Sequence, residues 1–319
     1  MSLKTYSLGL IGYPLGHSLS PQIHAAALHA LGINGEYSLY PVPPHLSGDS
    51  PSVYQSPNER GAWGQGKEQL TLDDLLARMR AGKIHGLNIT IPHKQNVIPL
   101  LDELTPPAEA IGAVNTIFLR AGKLVGDNTD APGFWVDLQQ LAFKGFLNCV
   151  QDRHQSATSE TRILNSALVL GAGGSARAVV YAFLTHGWHV DLTARRVEQA
   201  QNLHDQLSVV SNKLSVVDAA HQSLRTDHYS MLVNTTPVGM HPHEDACPWP
   251  IGIPLPKNAA VYDLVYNPRE TLLVKRAREI GSPATTGLGM LIEQAALAFE
   301  CWTGLEAPRG EMMSAACFE

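Results

Sequence analysis

Residues 167–187, ALVLGAGGSARAVVYAFLTHG, place a glycine-rich turn between an apolar run and a helical segment. In such a turn Gly171 permits a sharp bend, Gly173 lets backbone amides approach a pyrophosphate, and Ala176 allows close packing of helix on strand. The free N–H groups of a helix N-terminus favour an anion there. A glycine-rich turn alone is a weak signal, but the strand–turn–helix–strand context predicts a dinucleotide site. The residues predicted to contact the cofactor are Gly171, Ala172, Gly173, Gly174, Ser175 and Ala176.

The next predicted strand, HVDLTARR (189–196), indicates which dinucleotide binds. NAD-preferring sites usually carry an acidic residue about 20 positions after the first glycine. Here the strand ends in Ala194, Arg195 and Arg196, and the nearby acid, Asp191, lies inside the strand. Two guanidinium groups suit a 2′-phosphate, although a solvated pair at a helix start is the alternative. The pattern favours NADP, bound in part by these three residues.

Strand and helix patterns alternate on both sides of this unit, which predicts an α/β fold with parallel strands and crossover helices. Predicted strands cover 6–12, 36–42, 87–91, 166–170 and 188–194, and a strand pair within 112–130 turns at Ala121–Gly122. Predicted helices cover 20–32, 71–82, 131–143, 174–187 and 290–304, with Ser20 and Thr71 as N-caps. Two polar segments, 45–69 and 148–165, are predicted loops, and a second structural unit begins near residue 131.

The composition is globular, with 44% hydrophobic and 16% charged residues among 319. A net charge of −6 without a basic run gives no electrostatic footprint for nucleic acid. Four scattered cysteines argue against a disulfide framework or a cysteine zinc site and favour the reducing cytoplasm. The N-terminus is a poor signal peptide, and no stretch reaches the ~18 apolar residues of a membrane span. We expect a cytoplasmic monomer or homodimer that acts on a small molecule, without a membrane partner or a metal.

A second group of polar residues lies at predicted strand ends. Within LNITIPHKQ (87–95), Asn88 and Thr90 fall on one face of an apolar strand, and Lys94 follows. Polar side chains buried without partners are costly, so we expect them to face a polar ligand. Taken singly, each member of the group is more simply a cap, turn or surface residue; taken together, they suit a small polyhydroxy acid. The group comprises Ser18, Ser20, Asn88, Thr90, Lys94, Asn115 and Asp130.

Eight blocks, in this order, resemble the shikimate dehydrogenases over most of the chain. The blocks are GHSLSP, LNITIPHK, GAVNT, GDNTD, GAGGSARAV, NTTPVGM, DLVYNP and GLGMLIEQAA. The resemblance implies an α/β substrate domain completed by C-terminal helices (residues 1–130 and 287–319) beside a Rossmann-type NADP-binding domain (residues 131–286). It implies reversible reduction of 3-dehydroshikimate to shikimate with NADPH, a step towards the aromatic amino acids, in the cleft between the domains.

The resemblance also implies a role for each residue that matches a motif. Lys94 and Asp130 would form the catalytic pair. The implied substrate contacts are Ser18, Ser20, Asn88, Thr90, Asn115, Tyr266 and Gln294. Thr235 and Gly287 would lie at the cofactor, with Gly287 and Tyr266 near the nicotinamide.

The implied reaction gives a chemical reason for a lysine at position 94. A hydride that reaches a ketone leaves an alkoxide too basic to persist at neutral pH, so a proton must follow. An ammonium group can donate that proton and stabilise the developing charge. Asp130 beside it would favour the charged form, whereas desolvation would oppose it. We expect Lys94 to be the general acid in reduction and the general base in oxidation; an ordinary surface lysine is the alternative.

Some positions depart from the family pattern. Arg196 and Pro237 each replace a usual hydroxyl residue, and Ala25 replaces a frequent asparagine. The 45–69 loop is longer than the family norm and could form a lid or a partner contact. HPHEDAC (241–247) brings histidines and acids together among prolines, but this irregular loop does not predict a metal site.

Two alternatives remain open on the sequence. A quinate or broad-specificity quinate/shikimate dehydrogenase would share these motifs, but a serine-to-threonine change in the HSLSP block is expected there. This chain keeps both serines, which favours shikimate. A non-catalytic NADP-binding regulator would be expected to lack Lys94 or Asp130, and both are present.

Overall fold

The computed structural model describes residues 5–44, 70–147, 165–217 and 228–317. The predicted loop at 45–69 and nearly all of the one at 148–165 lie outside these residues. The described residues form twelve strands, in two six-stranded sheets, and nine α-helices. None of the helices in these ranges has the length and apolar character that a bilayer crossing requires.

The first sheet is mixed and comes from the N-terminal part of the chain. Its strands are β1 (Tyr6–Gly12), β2 (Gly35–Pro41), β3 (Gly86–Ile89), β4 (Glu103–Leu104), β5 (Thr116–Arg120) and β6 (Lys123–Asp127). The order is β2-β1-β3-β5-β6-β4, parallel from β2 to β3, antiparallel from β3 to β6, and parallel again between β6 and β4. The predicted turn at Ala121–Gly122 is confirmed: both residues have positive φ, 51° and 79°, as a two-residue hairpin turn requires.

The second sheet is entirely parallel, as the strand–helix alternation predicts. Its strands are β7 (Ser166–Leu170), β8 (His189–Thr193), β9 (Leu214–Val216), β10 (Met231–Asn234), β11 (Ala260–Asp263) and β12 (Ala284–Thr286), in the order β12-β11-β10-β7-β8-β9. Every residue of the central strand β7 is buried, because such sheets are covered on both faces.

Helices surround both sheets, and two of them join the sheets. The helices are α1 (Ser20–Ala30), α2 (Leu72–Arg80), α3 (Pro106–Ile111), α4 (Asp130–Phe143), α5 (Gly174–Thr185), α6 (Val197–Leu207), α7 (Leu272–Glu279), α8 (Leu288–Thr303) and α9 (Arg309–Cys317). Phe134 of α4 packs into the core of the second sheet, 5.3 Å from the ring of Phe183. Phe299 and Trp302 of α8 belong to the core beside β1 and α1. Because α4 and α8 pack together, they connect the two cores.

The structure corrects two local predictions and confirms a third. Ser20 is the first residue of α1 rather than its N-cap; Leu19 holds that position, and the Ser20 N–H donates to Ser18 Oγ at 3.3 Å. The strand predicted at 87–91 ends at Ile89, so Thr90 lies just beyond it. Thr71 is confirmed as the N-cap of α2, where it forms a capping box with Asp74.

Candidate active site

Lys94 and Asp130 form a buried ion pair. Lys94 Nζ lies 2.5 Å from Asp130 Oδ2, and the two residues are only 9% and 5% exposed. Lys94 follows β3 and Asp130 opens α4, and the Val114 N–H donates to the Lys94 carbonyl at 2.7 Å, which fixes the lysine backbone. Out of water, each charge acts strongly on its neighbours, so the pair can hold or move a proton at the lysine nitrogen.

Asn115 orients the carboxylate of this pair. Its Nδ2 donates to Asp130 Oδ1 at 2.9 Å and to Thr129 Oγ1 at 2.9 Å, and its Oδ1 accepts the Thr129 N–H at 2.7 Å. Asp130 therefore offers one oxygen to the amide and the other to the ammonium. This arrangement fixes the position of the Lys94 nitrogen relative to the carboxylate.

Gln294 reaches the same place from α8. Its Oε1 lies 3.4 Å from Asn115 Nδ2, although the two residues are 179 positions apart. The close approach of α8 to α4 makes this contact possible, because a Cβ on Gly133 would lie 2.7 Å from the Gln294 backbone nitrogen. The structure thus brings Lys94, Asn115, Asp130 and Gln294 together.

Asn88 leads from this group to a second set of hydroxyls. Its Nδ2 donates to the Asn115 carbonyl at 3.1 Å and to Thr116 Oγ1 at 3.2 Å, and its Oδ1 accepts the Tyr37 hydroxyl at 2.8 Å. Ser20 is 8% exposed and is a hydrogen-bond neighbour of Tyr37. Asn88 is therefore joined to Tyr37, which sequence reasoning missed, whereas Thr90 lies beyond the strand.

The ring of His24 packs against the ring of Tyr37. The two rings stack with centroids 4.3 Å apart and an interplanar angle of 6°. Complete burial lowers the pKa of His24 to about 3, so the ring is neutral at physiological pH.

Ser18 and Thr90, the other predicted members of the polar group, are half-buried in the loops that follow β1 and β3. No local sequence signal marks Tyr37 or His24, because their neighbours lie far along the chain.

The glycine-rich turn has the backbone that its sequence predicts. Gly171 has φ = 109°, and a Cβ there would lie 2.6 Å from Thr235 Oγ1, so only glycine fits. Thr235 in turn donates to the Leu170 carbonyl at 2.6 Å. Gly173 occupies the N-cap of α5 without a side-chain cap, which leaves the first N–H groups of the helix open to an anion.

The turn and the ion pair meet. A Cβ built on Gly174 would lie 3.1 Å from Lys94 Cδ, so the lysine side chain packs on the first turn of α5. Ala172 and Ser175 are half-buried beside it, and Ala176 is fully buried against the sheet. The candidate dinucleotide site and the candidate catalytic pair are therefore parts of one site.

Two arginines on the surface follow β8. Arg195 and Arg196 are exposed, Ala194 is half-buried, and neither arginine pairs with a carboxylate in the described ranges. Asp191 is unavailable to a ribose, because it lies within β8 and accepts the Tyr229 hydroxyl at 2.6 Å.

The loop after β11 carries Tyr266, another predicted site residue. Asp263 accepts hydrogen bonds from Asn234 Nδ2 at 2.8 Å, the Val265 N–H at 3.1 Å and Thr271 Oγ1 at 2.7 Å, and burial raises its pKa to about 6. Three positions further on, burial raises the pKa of Tyr266. Gly287 packs on this loop, since a Cβ there would lie 2.4 Å from the Leu264 carbonyl oxygen.

The 241–247 segment forms a surface contact. His241 Nδ1 lies 2.8 Å from Glu244 Oε1, and the His241 ring meets the His17 ring edge-on at 4.7 Å. In the portion of the chain that the structure describes, no group of three or more histidine, cysteine, aspartate or glutamate residues could hold a metal ion.

Known families match this chain at both ends and over its length. The shikimate dehydrogenase substrate binding domain matches residues 10–117, and the shikimate 5′-dehydrogenase C-terminal domain matches residues 287–317. A shikimate dehydrogenase (NADP(+)) of Carboxydothermus hydrogenoformans is 36% identical over 305 residues, which cover 96% of this chain and 94% of the relative. The chain belongs to the shikimate dehydrogenase family.

Solved structures related to this shikimate dehydrogenase family member share its fold. The shikimate 5-dehydrogenase of Thermus thermophilus, solved with NADP(H) and shikimate, is 33% identical, with a TM-score of 0.75 and 98% coverage of both chains. A quinate dehydrogenase of Corynebacterium glutamicum, solved with NAD, is 31% identical, with a TM-score of 0.73 and the same coverage. The predicted family and the α/β fold with a Rossmann-type sheet are confirmed.

Proposed function

We propose that this protein catalyses the reversible, NADP-dependent reduction of 3-dehydroshikimate to shikimate. The observation that carries the proposal is the buried Lys94–Asp130 pair in contact with the glycine-rich turn at Gly174. An acid–base group and a dinucleotide-binding turn at one site suit a dehydrogenase. The NADP(+) specificity in the name of the Carboxydothermus relative supports the same reaction.

The side chains of this site can donate and accept the proton that the reaction requires. Lys94, as an ammonium group, donates a proton to the oxygen that becomes a hydroxyl, and as an amine it takes that proton back in oxidation. Asp130 accepts a hydrogen bond from Lys94, and Asn115 keeps the carboxylate aimed at the lysine. The nicotinamide dinucleotide supplies or removes the hydride when it is bound. A protein group is therefore needed only for the proton and for orientation.

The family motifs support the role proposed for each residue. Lys94 and Asp130 are the proposed catalytic residues. The proposed substrate contacts are Ser18, Ser20, Asn88, Thr90, Asn115, Tyr266 and Gln294. In the described ranges the Tyr266 hydroxyl has no hydrogen-bond partner in the protein, which leaves it available to a ligand. Hydroxyls and amides in this number can satisfy the hydroxyls and carboxylate of a small ring acid.

The residues present fit NADP. The open N-terminus of α5 suits the pyrophosphate, and the two exposed arginines after β8 suit the 2′-phosphate. The proposed cofactor contacts are Gly171, Ala172, Gly173, Gly174, Ser175, Ala176, Ala194, Arg195, Arg196, Thr235 and Gly287. Arg196 stands at the N-cap of α6, so Arg195 is the more direct candidate for the phosphate.

We also propose the division of the chain into a substrate domain, residues 1–130 and 287–319, and an NADP-binding domain, residues 131–286. Its support is the pair of sheets with separate cores, joined by α4 and α8. The cytoplasmic location and the monomeric or homodimeric state stay predictions.

Steady-state rates with shikimate or quinate, each with NADP⁺ or NAD⁺, test the proposal. Absorbance of the reduced nicotinamide reports turnover. We expect the highest kcat/KM for shikimate with NADP⁺. A preference for quinate would replace the proposal with the quinate alternative, and no turnover with any of the four pairs would favour a non-catalytic regulator.

A further inference from the structure

Asp137 is a buried carboxylate that the proposed chemistry does not use. It lies on α4 about two turns after Asp130 and is 7% exposed. Its Oδ2 accepts the Tyr262 hydroxyl, and the Met290 backbone N–H also bonds the carboxylate. In the described ranges it has no salt-bridge partner. Buried polar groups persist where hydrogen bonds compensate them, and here the donors come from β11 and α8.

The partners of Asp137 belong to the segments that carry proposed ligand contacts. Met290 lies one turn before Gln294 on α8 and three positions after Gly287. Tyr262 lies on β11, whose end leads into the loop with Leu264 and Tyr266. The Asp137 carboxylate therefore touches both β11 and α8, the two elements that lead to Tyr266, Gly287 and Gln294.

Two glycines, one on each helix, make this contact close. A Cβ on Gly289 of α8 would lie 2.0 Å from Asp137 Oδ1, and a Cβ on Gly133 of α4 would lie 2.7 Å from the Gln294 nitrogen. The spacing of the two helices is thus set at one point by Asp137 and at the next by Gln294. A shift of the carboxylate must move the first turn of α8.

The Tyr262 hydroxyl is a stable donor to this carboxylate. Tyr262 is completely buried, with its ring edge-on to Phe134 at 5.2 Å, and burial together with Asp137 raises its pKa well above the ordinary value. It therefore keeps its proton at any working pH. The neighbouring carboxylate, Glu293, has its own partners, Gln140 at 2.9 Å and Arg309 at 2.8 Å.

We propose that Asp137 is a positioning residue: by holding Tyr262 and the start of α8, it places Gln294 and Gly287 against the bound substrate and nicotinamide. This inference rests on the proposed function and deepens it. Lys94 and Asp130 are held by Val114 and Asn115, and Gln294 meets Asn115 only through one long contact of 3.4 Å. Loss of Asp137 should therefore weaken substrate binding while leaving proton transfer largely intact.

Kinetics of Asp137→Asn and Tyr262→Phe test the proposal. We expect each to raise KM for shikimate about tenfold, the equivalent of one buried hydrogen bond, with a smaller change in kcat. Because both alter the contact between Tyr262 and Asp137, the effects of the two changes in the double variant should be less than additive. A role in folding alone would lower thermal stability without this split between KM and kcat.

Tyr229→Phe is the matched control. It removes another hydrogen bond from a buried tyrosine to a carboxylate, Asp191 of β8, away from α8 and the loop after β11. We expect a similar loss of stability but a KM for shikimate within about twofold of wild type.

An unchanged KM in folded Tyr262→Phe, or equal changes in Tyr262→Phe and Tyr229→Phe, would overturn the inference while the proposed function stands. Tyr262→Phe decides the matter if Asp137→Asn does not fold. A wild-type protein without shikimate turnover would overturn the proposed function and this inference with it.

Discussion

Each oxygen of Asp130 has a separate partner, and this division is the main residue-scale feature of the site. Oδ2 faces the Lys94 ammonium and Oδ1 faces the Asn115 amide. A carboxylate held from both sides cannot rotate away from the lysine. Removing the amide should therefore disturb the geometry of the pair without removing either charge.

Asn115→Ala tests this orientation. It deletes hydrogen bonds to Asp130 and Thr129 inside the site, so we expect kcat/KM for shikimate to fall about 10- to 100-fold. Affinity for NADP⁺, measured by fluorescence titration, should change little because Asn115 does not contact the glycine-rich turn. Wild-type kcat/KM in a folded variant would mean that the carboxylate needs no such support.

Arg195 is the residue that we propose distinguishes NADP from NAD. It is exposed and has no carboxylate partner in the described ranges, so a 2′-phosphate can be its main partner. We expect Arg195→Gln to raise KM for NADP⁺ about tenfold or more while KM for NAD⁺ stays nearly constant. Arg196→Gln is the comparison, with a smaller expected effect. Equal increases for both dinucleotides would place the phosphate elsewhere.

At the scale of elements, the end of β11 is tied to the start of α7. Thr271, the N-cap of α7, donates to Asp263 Oδ2 and accepts the Val274 N–H. Asp263 also binds the end of β10 through Asn234 and its own loop through the Val265 N–H. One buried carboxyl group therefore fixes the loop that holds Tyr266, and its protonation should be visible in stability.

Burial raises the pKa of Asp263 to about 6, above the ordinary 3.8, so the folded protein binds this proton more tightly than the unfolded chain. The protonated Asp263 carboxyl therefore contributes its full stabilisation below pH ~4, and this stabilisation is lost as the pH rises through ~6. The free energy of unfolding should fall by about 3 kcal/mol over this range. Asp263→Asn cannot titrate. Urea unfolding from pH ~4 to ~7 should show wild type losing free energy of unfolding relative to the variant; a difference independent of pH would contradict this.

For the molecule as a whole, short sequence motifs predicted several of the elements that define the fold. The β7 strand, the glycine-rich turn and the hairpin at 121–122 were each predictable because a few consecutive residues specify them. The Ser20 N-cap was wrong because the preceding loop already enters the helix at Leu19. Ends of elements depend on tertiary contacts that single-residue preferences do not contain.

The assembly of the site was only partly predictable. Lys94 and Asp130 stand out through the family motifs, and the structure brings them together. Tyr37 and its partner Asn88 are 51 positions apart, and Tyr262 and Asp137 are 125 apart, so no local pattern could reveal either contact. Such pairs arise when α4 and α8 join the two sheets, and they need the folded molecule to be seen.

The measurement that tests the central claim most directly is the turnover number of Lys94→Ala with shikimate and NADP⁺. Loss of the proton-transfer group should lower kcat by about 10²- to 10⁴-fold, with the fold and the affinity for NADP⁺ retained. Lys123→Ala, which removes an exposed lysine paired with Glu103, is the matched control and should leave kcat unchanged. A folded Lys94→Ala protein with a near wild-type kcat would contradict the assignment of proton transfer to the Lys94–Asp130 pair.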